Sequence, residues 1–335
     1  MRQRRPHRLP TLLAAVILAV TGVVMPSTTS AALPTRWVGT GRASSCTSAR
    51  VVAAVKRGGI IRFRCGRSPV VIRMWATAKV FNDRPDVVID GGGKVTLDGG
   101  GVRRILYMNT CDPALVWTTP HCQDQPHPTL SLRNITFRNG RSTGTETMDG
   151  GGAVFVRGGR LSIHNARFFG NRCASTGPDV GGGALQVFSQ YHGRAVPINR
   201  SVFGGTGSKA NRCSNGGAIA SIGVSWTITD SVFQYNRATG TGANPPKNGL
   251  PGGGNGGAIY NDGNAMTLRL TRTRLSYNRS NGEGGSGIFF VSNDRSGDVV
   301  VRDSTFRYNT GSTFDNRPDT FFLGDGWTFT GNSVR

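Results

Sequence analysis

Short segments in which apolar and polar residues alternate recur along most of the chain, as in Leu161-Ser162-Ile163-His164 and Trp226-Thr227-Ile228-Thr229. Alternation puts one set of side chains in a core and the other in solvent, so it predicts strands. Within residues 151–171 three strands are expected, at 153–156, 160–164 and 167–169, separated by turns. The unit then repeats. GGAV at 151–154 returns as GGAL at 182–185, GGAI at 216–219 and 256–259, and more weakly as SGIF at 286–289. A second element reads FRN at 137–139, FFGN at 168–171, VFQYN at 232–236, LSYN at 275–278, TFRYN at 305–309 and TFTGN at 328–332. Residues 201–205 supply the aromatic position of a degenerate copy without its asparagine.

The recurring Phe or Leu at 137, 168, 203, 233, 275 and 306 are 31, 35, 30, 42 and 31 residues apart, a spacing typical of solenoids. Three strands per repeat make one coil, and the expected fold is all-β, a right-handed parallel β-helix whose handedness follows the general rule for parallel crossovers. Coils stack about 4.8 Å apart, so equivalent residues form columns. Phe and Leu fill the core. Asn171, Asn236, Asn278, Asn309 and Asn332 are expected to form a ladder at a turn. Three residues before each recurring Phe or Leu stand Asn134, Asn165, Arg200, Asp230, Arg272 and Asp303, a second turn column whose later members alternate in charge.

Ahead of the repeats the pattern changes. Thr47-Ser48 precedes 49–57, where Val51, Val52 and Val55 share one side, and Gly58-Gly59 ends the run before a strand at 60–63. This predicts a short N-terminal helical cap over the open end of the solenoid. The expected organisation is a signal peptide at 1–32, an N-terminal segment with the cap at 33–59, and the β-helix domain at 60–335. The signal reading rests on Arg2, Arg4, Arg5 and Arg8, the apolar run 12–25, and the small residues 30–32. It implies an extracellular location, free or at the cell surface, with no integral membrane insertion after cleavage.

Six cysteines follow the cleavage point, an even number suited to disulfides in an exported chain. They permit 15 pairings. Proximity along the chain favours Cys46 with Cys65 and Cys111 with Cys122, and the repeated string Asn-Arg-Cys favours Cys173 with Cys213. Glycine, 49 of 335 residues, lacks a strict period, which excludes collagen. Lys and Arg number 40 against 18 Asp and Glu; removing the four arginines of the leader leaves a net charge of +18. Such a charge attracts polyanions. An acidic polysaccharide or another cell-envelope polyanion is the expected partner, and nucleic acid is disfavoured by export and by the lack of a regular aromatic and basic strand motif.

The run Cys46-Thr47-Ser48, the turns Val88-Ile89-Asp90-Gly91-Gly92-Gly93 and Thr96-Leu97-Asp98-Gly99-Gly100, and the GGAI and FxxN elements resemble secreted right-handed β-helix proteins of the pectate-lyase-like superfold. The GGAI and FxxN repeats are also similar to those of polymorphic outer membrane proteins. The resemblance implies carbohydrate binding, with polysaccharide lyase activity on acidic glycans favoured over glycoside hydrolysis if the protein is an enzyme. It also implies Ca2+ for a lyase, held by carboxylates beside an arginine base. Asp262, Asp294 and Asp298, and the pair Asp315 and Asp319, are the candidate catalytic or metal-binding carboxylates, with turn formation as the structural alternative. A hydrolase needs two facing carboxylates, and only Glu146 and Glu283 supply glutamate. Tyr191, His192 and Arg194 are candidate glycan contacts through stacking and hydrogen bonding. The alternative reading is a noncatalytic surface or adhesion protein.

Overall fold

The computed structural model describes residues 32–144 and 148–335. The expected signal segment lies outside the described residues up to position 31, and so does Glu146.

The chain winds into a parallel β-helix with three strand ladders. The first runs from Thr35–Val38 through Gly59–Phe63, the leading half of Asp86–Asp98 and of Thr129–Arg138, and on through Arg160–His164, Val196–Asn199, Trp226–Thr229, Thr267–Thr271, Asp298–Arg302 and Trp327–Thr330. Asp86–Asp98 and Thr129–Arg138 bend through a corner and continue into the second ladder, so the two ladders count as one 17-stranded sheet. The third is an eight-stranded sheet from Ala78–Val80 to Thr320–Leu323. All these pairings are parallel, and equivalent repeat residues face one another, as Ile228 faces Leu270 and Leu270 faces Val301.

That register builds the core. Phe137, Phe168, Phe203, Phe233, Leu275 and Phe306 are fully buried in one column. The first four rings stack with centroids 5.2, 4.7 and 4.6 Å apart. Opposite them stand the inward Val, Leu and Ile of the third sheet.

The stack already includes Thr35–Val38, ahead of the helix Ser48–Arg57. The Thr47 side chain accepts the Arg50 N–H, Lys56 and Arg57 occupy the last turn, and Gly58 ends the helix at φ +66°, the pattern expected of a capped helix. Val51, Ala54 and Val55 pack onto the core, and the Cys46–Cys65 disulfide ties this segment to the strand that follows. Cys111–Cys122 and Cys173–Cys213 are also bonded. Among the described residues no helix is long and apolar enough to cross a membrane.

The corner between the first and second ladders is built by Asn134, Asn165, Arg200, Asp230, Arg272 and Asp303, all with φ between +47° and +51°. A left-handed residue costs about 1 kcal/mol or more outside glycine, and side-chain contacts along the column offset it. Asn165 donates to Asn134 at 2.8 Å, and Arg272 pairs with Asp230 at 2.7 Å. One residue further on, a column of hydroxyls accepts backbone N–H groups: Ser201 takes that of Ala166, Ser231 that of Ser201, and Ser304 that of Thr273, each at 3.1 Å.

The second corner holds the buried asparagine ladder. Its members are Asn171, Asn211, Asn236, Asn278 and Asn309, and each Nδ2 donates to the next Oδ1 at 2.9–3.0 Å. The copy at 201–205 therefore has its asparagine after all, displaced to Asn211 by an insertion that carries the 3-10 turn Gly207–Lys209. Asn332 belongs elsewhere. The segment 328–332 imitates the repeat, but Thr328 pairs with Val300 on the first ladder, and Asn332 closes the hydroxyl column by accepting the Ser304 N–H at 2.8 Å.

The GGA elements follow from the same corner. The first glycine, as at Gly216 with φ +52°, turns the chain left-handed. The second has no room for a side chain: a Cβ on Gly217 would overlap the backbone of Arg237 and Gly257. The third sheet thus closes backbone to backbone onto the asparagine corner.

Candidate functional site

The residue after each ladder asparagine points outward. Arg172, Arg212, Arg237 and Arg279 occupy this place, and backbone bridges place Arg141 beside Arg172 at one end and Thr310 beside Arg279 at the other. Five arginines thus stand on five successive coils, one rung or about 4.8 Å apart. Arg141, Arg172, Arg237 and Arg279 are exposed and Arg212 is half-buried. None of the five takes part in an ion pair among the described residues. Burial, then the charges of Arg237 and Arg172, lower the Arg212 guanidinium from its usual range. Like charges held in a line without counter-charges raise the local positive potential and favour anions.

The residue before the asparagine changes along the column. It is Gly170, then Ala210, then Tyr235, Tyr277 and Tyr308. The three tyrosines take left-handed backbone, φ +56° to +58°, where bulky residues are seldom found. Their rings stack with centroids 4.8 and 5.0 Å apart, and Tyr277 and Tyr308 are 45% and 54% exposed. Stacking occupies the ring faces and leaves edges and hydroxyls in a row beside the arginines. The turn itself imposes this backbone, since Asn139 and Gly170 at the equivalent place on earlier coils take it too, at φ +51° and +63°.

A second basic surface lies on the first ladder. Arg133, Arg160 and Arg194 line a groove of about 470 Å³ with Thr129, Ser131 and Ser162. Arg133 donates to Ser131 at 2.8 Å, and Ser162 to Ser131 at 3.0 Å. Arg194 lines the same groove. Tyr191 and His192 instead stack on each other at 3.9 Å, and the His192 backbone N–H donates to Asp124 at 2.6 Å.

Each of the five candidate aspartates accepts hydrogen bonds from neighbouring groups. Asp294 accepts from Ser292 Oγ and from Ser296 N and Oγ at 2.7–3.1 Å, bonds that lower its carboxyl from the ordinary range. Asp298 accepts the Gly326 N–H, and Asp315 accepts the N–H groups of Gly285 and Ser286. Asp319 receives the last donor of the asparagine ladder, Asn309 Nδ2, at 2.7 Å. Ca2+ takes six to eight oxygens, and among the described residues no three His, Cys, Asp or Glu converge to begin such a set.

Asp262 differs in being largely buried. It accepts from Tyr260 Oη at 3.0 Å and Asn293 Nδ2 at 3.1 Å, and Asn244 donates to Tyr260 Oη at 2.9 Å. Burial raises its carboxyl above the usual range, against the lowering effect of the Tyr260 and Asn293 hydrogen bonds. The native state then holds the proton more tightly than the unfolded chain. The stability this provides is complete below the unfolded value of about 3.9 and is lost as pH rises through the raised native value. Asp262→Asn should remove that decline, and its urea midpoint should match or exceed the parent's at neutral pH. A midpoint falling more steeply with pH in the variant would contradict this.

The arginine column escapes a reading that follows inward residues, although its signal was present. Asn-Arg recurs at 171–172, 211–212, 236–237 and 278–279. No family model, curated protein or solved structure matches the chain.

Proposed function

We propose that the protein is an exported, noncatalytic binder of a linear acidic polysaccharide, held along the second corner. The observation that carries this reading is the column of five arginines without ion-pair partners among the described residues. Guanidinium groups bind carboxylates bidentately. An acidic polysaccharide carries carboxylates at regular intervals along its length, and a regular line of guanidinium groups offers them partners along one edge. The tyrosine edges add hydroxyl donors and acceptors for ring hydroxyls. Three disulfides support an oxidising compartment.

Nucleic acid fits less well. Single strands are bound by stacking bases on open aromatic faces, and here the faces of Tyr235 and Tyr277 cover one another. Duplex DNA carries a charge about every 1.7 Å of its axis, far denser than the column.

The test is retention of the purified protein on immobilised polyuronate, with nucleic acid and neutral glycans as comparisons. Retention should weaken as salt rises. The double variant Arg237→Gln, Arg279→Gln should bind about tenfold or more weakly at ~0.1 M salt, since each lost contact involves a charged group. Equal binding of neutral glycans without salt dependence, or no change in the variant, would remove the proposal. Accumulation of unsaturated or reducing ends would replace it with an enzymatic reading.

A further inference from the structure

At its Arg141 end the arginine column opens into a concavity of about 280 Å³ walled by Arg73, Arg141 and Arg172 and floored by Gly100, Asn139 and Gly170. We infer that this concavity is a distinct site for one tetrahedral oxyanion, a sulfate or phosphate ester borne by the bound polymer. The inference rests on the polysaccharide reading for its ligand's carrier, but the site stands on its own geometry.

The opening exists because the corner is small here. Where later coils place Tyr235, Tyr277 and Tyr308, these coils place Asn139 and Gly170. Arg73 reaches the opening from the neighbouring coil. Its guanidinium lies 5.5 Å from the Trp75 ring centroid, and Nη2 donates to the Gly100 carbonyl at 3.5 Å. It rests so closely on Gly100 that a Cβ there would overlap the guanidinium.

Charge is not cancelled locally. The carboxylate of Asp98, at the same corner, is taken by Arg138 at 2.8 Å and by the Gly100 N–H at 2.7 Å. Arg73, Arg141 and Arg172 are all exposed and form no ion pair among the described residues. A carboxylate has two oxygens, enough for one or two guanidinium forks. Three forks require a third acceptor, which a sulfate or phosphate ester supplies.

Inorganic sulfate and inorganic phosphate, titrated into the full chain at constant ionic strength, provide the test, with heat of binding and Tm as readouts. Both should bind saturably at one site, raising Tm by linkage, while chloride does not. Arg73→Gln should weaken binding at least tenfold. Arg269→Gln, on the first ladder, should change nothing. Sulfate also stabilises proteins generally by exclusion from their surface, so the difference between Arg73→Gln and the parent decides. Equal binding by the two, or uptake linear in concentration, overturns the inference.

A plain polyuronate, a sulfated polysaccharide and a phosphorylated one then separate the sources. Arg73→Gln should lose about tenfold in retention only on the polymer whose ester the site takes, and equal loss on the plain polyuronate counts against the inference. The Arg237→Gln, Arg279→Gln variant should lose retention on all three. If that variant is unaffected while inorganic anions still bind through Arg73, the column reading fails and the oxyanion site remains.

Discussion

Asn278→Ala should cost about 3–6 kcal/mol of folding stability, because it leaves several buried groups without partners at ~1–3 kcal/mol each. Asn278 is fully buried. Its Oδ1 accepts both the backbone N–H and the Nδ2 of Asn236, at 3.1 and 2.9 Å. Its Nδ2 donates to the Phe233 carbonyl at 3.0 Å and to Asn309 Oδ1 at 2.9 Å. The damage should be local, since a coil touches mainly the coils beside it. Hydrogen exchange should speed up first in the coils around 233, 275 and 306, with urea unfolding giving the total. Asn264→Ala, an exposed asparagine, should stay within about 0.5 kcal/mol. A cost below ~1 kcal/mol for Asn278→Ala would mean that the ladder is ornamental to the fold.

Replacing Cys173 and Cys213 together with serine should cost about 4 kcal/mol, the chain-entropy figure for a bond spanning 40 residues. The bond spanning 11 residues, Cys111–Cys122, should contribute about 3 kcal/mol by the same rule. The first bond has a further task. Each of its cysteines follows a column arginine, and Arg172 and Arg212 are bridged neighbours. The disulfide therefore holds two like charges together against their repulsion. Raising the salt should recover part of the stability lost in the Cys173→Ser, Cys213→Ser variant, because screening weakens that repulsion. Thermal unfolding of the paired and serine forms at low and high salt measures both effects. A Tm difference independent of salt would show that the bond carries no electrostatic load.

The solenoid, the helix at Ser48–Arg57, the three cysteine pairs and the turn column from Asn134 to Asp303 could be read from the sequence because each is a property of spacing. A core column demands Phe or Leu at every turn, and a corner demands a residue that tolerates positive φ. Insertions defeat this logic. The one before Asn211 hid a ladder member, and 328–332 copied the motif on a different ladder. Outward residues are freer still. No packing rule requires arginine after the asparagine, so the column appeared as a charge total of unknown location until the register placed its members on one edge. Aspartates such as Asp294 and Asp315 stand out in a sequence because they sit beside loops, and the structure places them against backbone N–H groups.

Arginine follows asparagine within the repeat unit itself, so wall and charge are inherited together. A duplicated coil of this kind would add one rung of core, one rung of ladder and one more guanidinium in the same line. The length of anion that the edge can span would then grow by gene duplication alone, without any residue having to be invented for the purpose. Loss of charge in a single copy, as Thr310 already illustrates at one end, would shorten that reach and leave the fold intact.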